Sequence, residues 1–547
     1  MGRCLRQWLG CVLWLTGYAA LVSCAPQIAH ADPQPPAAHV AHAPPPAATV
    51  PSVQDETVWP PTSEQPEPSA EEAADIEAEI QADHSGDLAS TPDMDPAWEH
   101  IDLGTDPSAL TIAPEHTTAV PGELGAAQAP SGCFIAEPML DANAAPDAAQ
   151  PCGLVPITPL GVQTSIQNNA SLAPFRLALE RAQRGEGQAR IVYYGASHVA
   201  SDLYTGVLRK KLATIGGNAG PGFVLPARPW KYYRNEGVSV DKSRGLRTRR
   251  IMAKTPLPDA YGLAGVAFDS FTGRPASASF SLSAAAKEPM AMELFFMQRP
   301  HAGSLDVLID GRKAAHVSTS GGKRGAGYAT VELPEGALHV ELRMVGDGPV
   351  RIFGASLEKL GPGVVLDTLG IPGSRAKYQL LWEDELYREH LAHRRPDLVV
   401  LAYGTNESGD DSPMEQYESE LRQVVKRIRE VTPAAACLLV GPSDRPMRLP
   451  SDALTEHGER FAHRPRTAQI IDAQRRVANE LGCGFFDVVE FMGGPLSMVR
   501  WVRSSPALGT PDHVHFTRAG YDRMGEVLFE ALLEGFVSDG STLAHKR

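Results

Sequence analysis

Apolar positions along the chain fall into distinct textures. From 172 to 222, and again from 364 to 533, short β-branched runs alternate with stretches whose apolar residues recur at helical spacing. Residues 172–183 read as an amphipathic helix. Ile191 to Tyr194, β-branched and aromatic, read as a short buried strand ending in the small-residue turn Gly195-Ala196-Ser197. Beyond it Leu203, Val207, Leu208, Leu212 and Ile215 mark another helix. Farther on, 364–366, 397–403, 437–440 and 485–489 read as strands, and 376–391, 467–481 and 517–533 as helices. Met414, Tyr417, Leu421, Val424 and Ile428 line one face of a further helix. This alternation predicts a parallel sheet covered on both faces, with its site at the carboxyl ends of the strands.

Between about 230 and 358 the period drops to two. Runs such as 276–282, 292–296 and 338–344 alternate apolar with polar and are separated by turn residues. Asp310-Gly311, set between two such runs, is a type I′ hairpin signal. The reading is an all-β insertion, a sandwich, lying between the first and second strands of the parallel sheet. At its entry Trp230, Tyr232 and Tyr233 could stack on sugar rings, although boundary packing is the simpler role. The basic stretch 242–250 could meet an anionic glycan; a solvated loop is the plainer expectation.

The first 130 residues lack either pattern. Arg3 and Arg6 precede an apolar run over 8–22, the form of an export signal rather than a membrane span. Leu21-Val22-Ser23-Cys24 resembles the lipobox of bacterial lipoproteins, which marks Cys24 for lipidation; cleavage near Ala29 to Ala31 is the competing outcome. Residues 25–130, rich in Pro, Ala, Glu and Asp, read as a disordered tether. The expected organisation is a signal and lipobox at 1–24, the linker at 25–130, α/β sequence at 131–225, the β insertion at 226–363 and the α/β remainder at 364–537. The chain is thus expected to be exported, periplasmic or on the outer membrane, and held to a membrane through an N-terminal lipid. Of seven cysteines, Cys133 and Cys152 form a candidate disulfide for an oxidising compartment, while Cys437 and Cys483 read as buried small hydrophobes. Neither cysteine spacing nor histidine clustering matches a structural zinc site. A net charge of −15 argues against a nucleic-acid partner.

Four loops of the α/β part carry candidate chemistry. Ser197 follows the first strand, the block 367–373 follows the second, 404–407 follows the third, and 511–517 precedes the last helix. A serine where a strand turns into a helix can attack an acyl group while free backbone N–H groups hold the oxyanion, although a helix-capping serine has the same look. Asp512 and His515, three apart, can meet so that the carboxylate fixes one ring nitrogen and leaves the other to take the serine proton. His198 and His513 read as local packing residues and Asp202 as a helix-start carboxylate.

On these four blocks the chain resembles the SGNH (GDSL-like) hydrolases, over about 172–222 and 364–533. The resemblance implies a flavodoxin-like three-layer α/β fold with a parallel sheet. It also implies Ser197 as nucleophile, His515 as base with Asp512 behind it, and Ser197, Gly373 and Asn406 as the oxyanion hole. Ala196 and Glu407 depart from the family, which usually has Asp at both positions. Tyr194-Gly195-Ala196-Ser197-His198, the block 218–223, the β insertion and 403–407 further resemble the periplasmic peptidoglycan O-acetylesterases, whose β module is carbohydrate-binding-like. That narrower likeness implies removal of acetyl groups from the 6-hydroxyl of N-acetylmuramoyl residues in peptidoglycan, with no cofactor and no metal. Acetyl transfer to a sugar, an esterase on another acetylated polysaccharide, and a non-catalytic glycan-binding lipoprotein are the alternatives. A histidine base predicts a rate that climbs with pH through the range of a reference imidazole, about 6.5.

Overall fold

The computed structural model describes residues 164–536, apart from 232, 242, 252–258, 284–287 and 451–459. The export segment, Cys24, the 25–130 tether, the Cys133 and Cys152 pair and Tyr232 lie outside the described residues. Among the described residues no helix is long and apolar enough to cross a membrane.

Five strands form a parallel sheet: β1 (Gln188–Gly195), β2 (Gly363–Gly370), β3 (Leu398–Ala402), β4 (Ala436–Val440) and β5 (Gly484–Phe486). Their spatial order, β2-β1-β3-β4-β5, is flavodoxin-like. Helices cover both faces, so the strands are apolar throughout rather than alternating. On one face Ile191 and Tyr193 pack with residues of α1 (Ala173–Gln183), α2 (Tyr204–Gly216) and α6 (Arg518–Leu533). On the other, Val192 and Tyr194 join residues of α3 (Asp384–Arg394), α4 (Met414–Val431) and α5 (Pro465–Leu481). The register sets Gly195 beside Gly370 and Ala402, and Ala402 beside Val440. The loops after β1 to β4 therefore leave the sheet at one level.

Between β1 and β2 the chain builds two antiparallel sheets of six and five strands. They enclose a core that includes Phe280, Leu294, Leu305, Val340, Leu342 and Leu357, which makes the insertion a sandwich. Its strand Ala276–Leu282 buries every second residue. At the Asp310-Gly311 turn both residues take positive φ, 48° and 77°, as a type I′ hairpin requires. Phe295 and Phe353 on the six-stranded sheet pack on His390 of α3, with ring centroids 5.5 and 5.0 Å apart. Polar groups secure the same junction. The Arg394 guanidinium grips both Asp367 carboxylate oxygens at 2.9 Å and reaches Glu358 at 2.6 Å, and Arg190 pairs with Glu358 at 2.7 Å.

Several elements differ from the sequence reading, each for a local reason. Gly222–Val224 pairs antiparallel with the module strand Arg351–Lys359, although the boundary drawn at 225 assigns it to the α/β part. Asp367 lies inside β2, not in the loop after it. The helix expected over 376–391 is split into a 3-10 segment, Ala376–Leu381, and α3. At the break Asp259 bonds to Leu381 and Glu383 through its backbone, which replaces helical bonds. After Phe486, Asp487 caps a short helix Val488–Met492 by accepting from Glu490 N, so the strand expected over 485–489 ends early. Arg247–Arg250 is an edge strand rather than a loop, with Arg249 paired to Asp269. Cys437 and Cys483 are buried as expected but joined in a disulfide. Leu438 sits opposite Gly484, so the residues just before them are neighbours, with Cα atoms 4.6 Å apart.

Candidate active site

Ser197 opens a single helical turn, Ser197–Ala200, directly after β1. Ala196, non-helical at φ −100° and ψ −146°, accepts from Val199 N and Ala200 N at 3.1 and 2.9 Å. Backbone bonds thus close the turn without a side-chain carboxylate at position 196. The turn lies tight on the end of β2: a Cβ at Gly370 would sit 2.2 Å from Ala200 N, so only glycine fits there.

The segment before α6 arrives beside it. His515 Nε2 is 2.9 Å from Ser197 Oγ, and His515 Nδ1 is 2.6 Å from Asp512 Oδ2. The other Asp512 oxygen accepts from Val514 N, His515 N and the Thr510 hydroxyl, at 2.9, 3.0 and 2.5 Å. Burial works against charge on Asp512, but these bonds and the imidazole outweigh it and hold its carboxyl well below the usual range. An ionised Asp512 favours the tautomer with its proton on Nδ1, leaving Nε2 to accept from the serine. Such a line lets an imidazole take the hydroxyl proton as the oxygen attacks an electrophile.

The other histidines and Asp202 are engaged elsewhere. His198 bonds through Nδ1 to the Tyr521 hydroxyl at 3.0 Å and through Nε2 to the Ser443 hydroxyl at 3.2 Å. Burial pushes its pKa down to about 3, so the ring is neutral. It lines a cavity of about 30 Å³ together with Thr405, Ser443 and Phe516. His513 turns to Pro511 O and stacks on Phe461. Asp202, buried, receives Thr205, Thr368 and Arg209. Trp230 and Tyr233 pack edge-on, and Tyr233 accepts from Leu225 N, a boundary arrangement.

The loops after β2 and β3 meet each other. Asn406 Nδ2 donates to Ser374 O at 2.9 Å. Gly373 has φ 73°, and its carbonyl accepts from Arg375, whose guanidinium also grips Asp410 at 2.7 Å. Glu407 receives Ala376 N and Gly404 N, both at 2.9 Å. Sequence reasoning missed these braces, as it missed the Arg394 network and the 437–483 disulfide. For the disulfide a signal existed: a chain expected to be exported, with one cysteine at the start of a strand and the other just before one.

Residues 335–523 match the GDSL-like lipase/acylhydrolase family. No curated protein matches the chain. A solved peptidoglycan O-acetylesterase is 25% identical and superposes with a TM-score of 0.57, over 68% of this chain and 99% of that one. An acetyl xylan esterase (17% identity, 31% of this chain and 80% of that one, TM-score 0.23) overlaps too little to bear on the argument. The same holds for a salicylyl-acyltransferase of a tetracycline pathway (17% identity, 56% and 99%, TM-score 0.26). Residues 335–523 accordingly carry the likeness to the GDSL-like lipase/acylhydrolases, and the chain as a whole resembles a peptidoglycan O-acetylesterase in its fold.

Proposed function

We propose that the chain is a serine esterase that removes O-acetyl groups from cell-wall glycan, with the 6-O-acetyl of peptidoglycan N-acetylmuramoyl residues as substrate. The observation that carries the reading is the unbroken Asp512–His515–Ser197 line, 2.6 and 2.9 Å, at the carboxyl ends of the strands. His515 Nε2 takes the Ser197 proton as Oγ attacks the acetyl carbonyl. The Ser197 and Gly373 N–H groups and the Asn406 amide hold the oxyanion. The tetrahedral adduct expels the sugar oxygen, which leaves as the alcohol with the proton from His515. Water, deprotonated by the same ring, then attacks the acetyl-serine, and acetate departs as the serine is restored.

The peptidoglycan O-acetylesterase likeness, which spans nearly all of that protein, supports the substrate class. The Cys437–Cys483 disulfide supports an oxidising, extracytoplasmic site of action. Lipidation of Cys24 and a Cys133–Cys152 disulfide belong to the same proposal. The deciding assay measures acetate released from O-acetylated peptidoglycan and from acetylated xylan, with Ser197→Ala as control. Release from peptidoglycan that is lost in the variant is expected. Preference for xylan would move the substrate, and equal release by the Ser197→Ala protein would end the serine-esterase reading.

A further inference from the structure

We propose that Glu407 is a positioning residue whose buried carboxylate sets the spacing between the Gly373 and Asn406 loops. The inference rests on the esterase reading above and concerns what shapes the oxyanion pocket within it. One carboxylate oxygen accepts Ala376 N, three residues past Gly373, and the other accepts Gly404 N, two residues before Asn406. A single side chain therefore spans the ends of β2 and β3, and Asn406 closes the same gap from its own side by donating to Ser374 O. The Glu407 backbone carbonyl is held as well, accepting from Arg466 at 2.8 Å.

The choice of an acid at 407 is informative. Glu407 is 3% exposed, and among the described residues it forms no ion pair. Burial pushes its carboxyl up from the ordinary range, against the backbone N–H groups that favour the charge. A buried charge of this kind works against folding. What it supplies is two acceptor oxygens in a fixed fork, which no neutral side chain of the same length offers. Arg375, bonded to Gly373 O and Asp410, forms an outer clasp across the same two loops.

Glu407→Gln keeps the length but turns one oxygen into a donor, so one of the two backbone N–H groups loses its partner. Turnover of an aryl acetate should fall on the order of 10²-fold in kcat, the scale of an ångström-sized misplacement, with KM little changed. Thermal stability should hold, because the variant also removes a buried charge. Glu407→Asp keeps the charge but is one methylene shorter and spans the gap poorly, so its kcat should lie between those of the wild type and Glu407→Gln. The decisive readout is a double-mutant cycle with Asn406→Ala. If Glu407 acts through that amide, adding Glu407→Gln to Asn406→Ala changes kcat by less than about threefold. Multiplying effects would overturn the proposal, as would wild-type kcat in either Glu407 variant. Full activity in both Ser197→Ala and Asn406→Ala would instead overturn the esterase reading beneath it.

Discussion

In the parallel sheet each strand is covered on two faces, so β3 and β4 are apolar along nearly their whole length. In the inserted sandwich a strand such as Ala276–Leu282 is covered on one face and shows every other residue to the outside. The two regions also differ in where polar groups converge. Around the carboxyl ends of β1 to β3, carboxylates, an imidazole and backbone N–H groups bind one another at short range. The sandwich carries its charges away from any such site, on an exposed strand with Lys313 on Asp306 and in a half-buried cluster of Arg249 and Arg351 on Asp269. The difference teaches that reactive geometry here comes from loops leaving one sheet at one level, whereas the module supplies stability and a face packed on α3. Substitutions in the two regions should therefore act on different observables.

The largest effect is expected at the α/β site. Asp512→Asn preserves shape but favours the wrong imidazole tautomer and removes the charge behind His515. A fall of about 10⁴-fold in kcat on an aryl acetate is expected. Thermal unfolding should change far less. A variant with near-wild-type kcat would remove Asp512 from the catalytic line and blur the contrast between the regions.

That line was legible in the sequence because its members sit on short motifs: Ser197 in a strand-to-helix turn, and Asp512 three residues before His515. The hairpin was legible for the same reason, since Asp310-Gly311 needs no distant partner. What was not legible depends on which strands become neighbours. Glu407 bridges two loops only because β1 alone separates β2 from β3 in the sheet. Arg394 closes a helix in sequence, where a terminal cation reads as a solvated charge, yet it is 3% exposed and meets two carboxylates. Cys437 and Cys483, 46 residues apart, are brought together by the β4–β5 register. Local pattern also failed where a distant segment intruded, as when Asp259 bonded across the break at Trp382.

The junction between the regions tests the comparison next. Arg394→Met leaves Asp367 and Glu358 facing each other without their shared cation, a loss of about 3–5 kcal/mol in unfolding free energy. Turnover per folded molecule should not change. The network also carries a pH signature. Burial opposes the Glu358 charge, but Arg394 and Arg190 outweigh it and hold the pKa at about 2. Because the folded value lies below the unfolded one, about 4.3, this stabilisation is present above that pH and is lost as pH falls towards 2. Urea unfolding at pH 7 and pH 3 should then show the gap between wild type and Arg394→Met narrowing in acid. A gap that stays constant would mean that Glu358 is not the group the guanidinium supports.

The smallest effect is expected at the far pole of the comparison, the module hairpin. A Cβ added at Gly311 meets nothing within 4 Å, so Gly311→Ala tests backbone conformation alone. Its φ of 77° is costly for an L side chain, by roughly 1–2 kcal/mol. The Asp310 carboxylate, which accepts from Leu338 N and His339 N at 3.2 and 2.9 Å, keeps the turn tied to the adjoining strand and limits the damage. A drop in Tm of a few degrees is therefore expected in a domain of this size, with kcat and KM on an aryl acetate unaltered. Asp310→Ala removes the two bonds instead of straining the turn and should produce a similar drop by a different route. If either change lowered kcat while the protein stayed folded, the sandwich would be shaping the site through α3, and the separation of stability from chemistry between the two regions would fail.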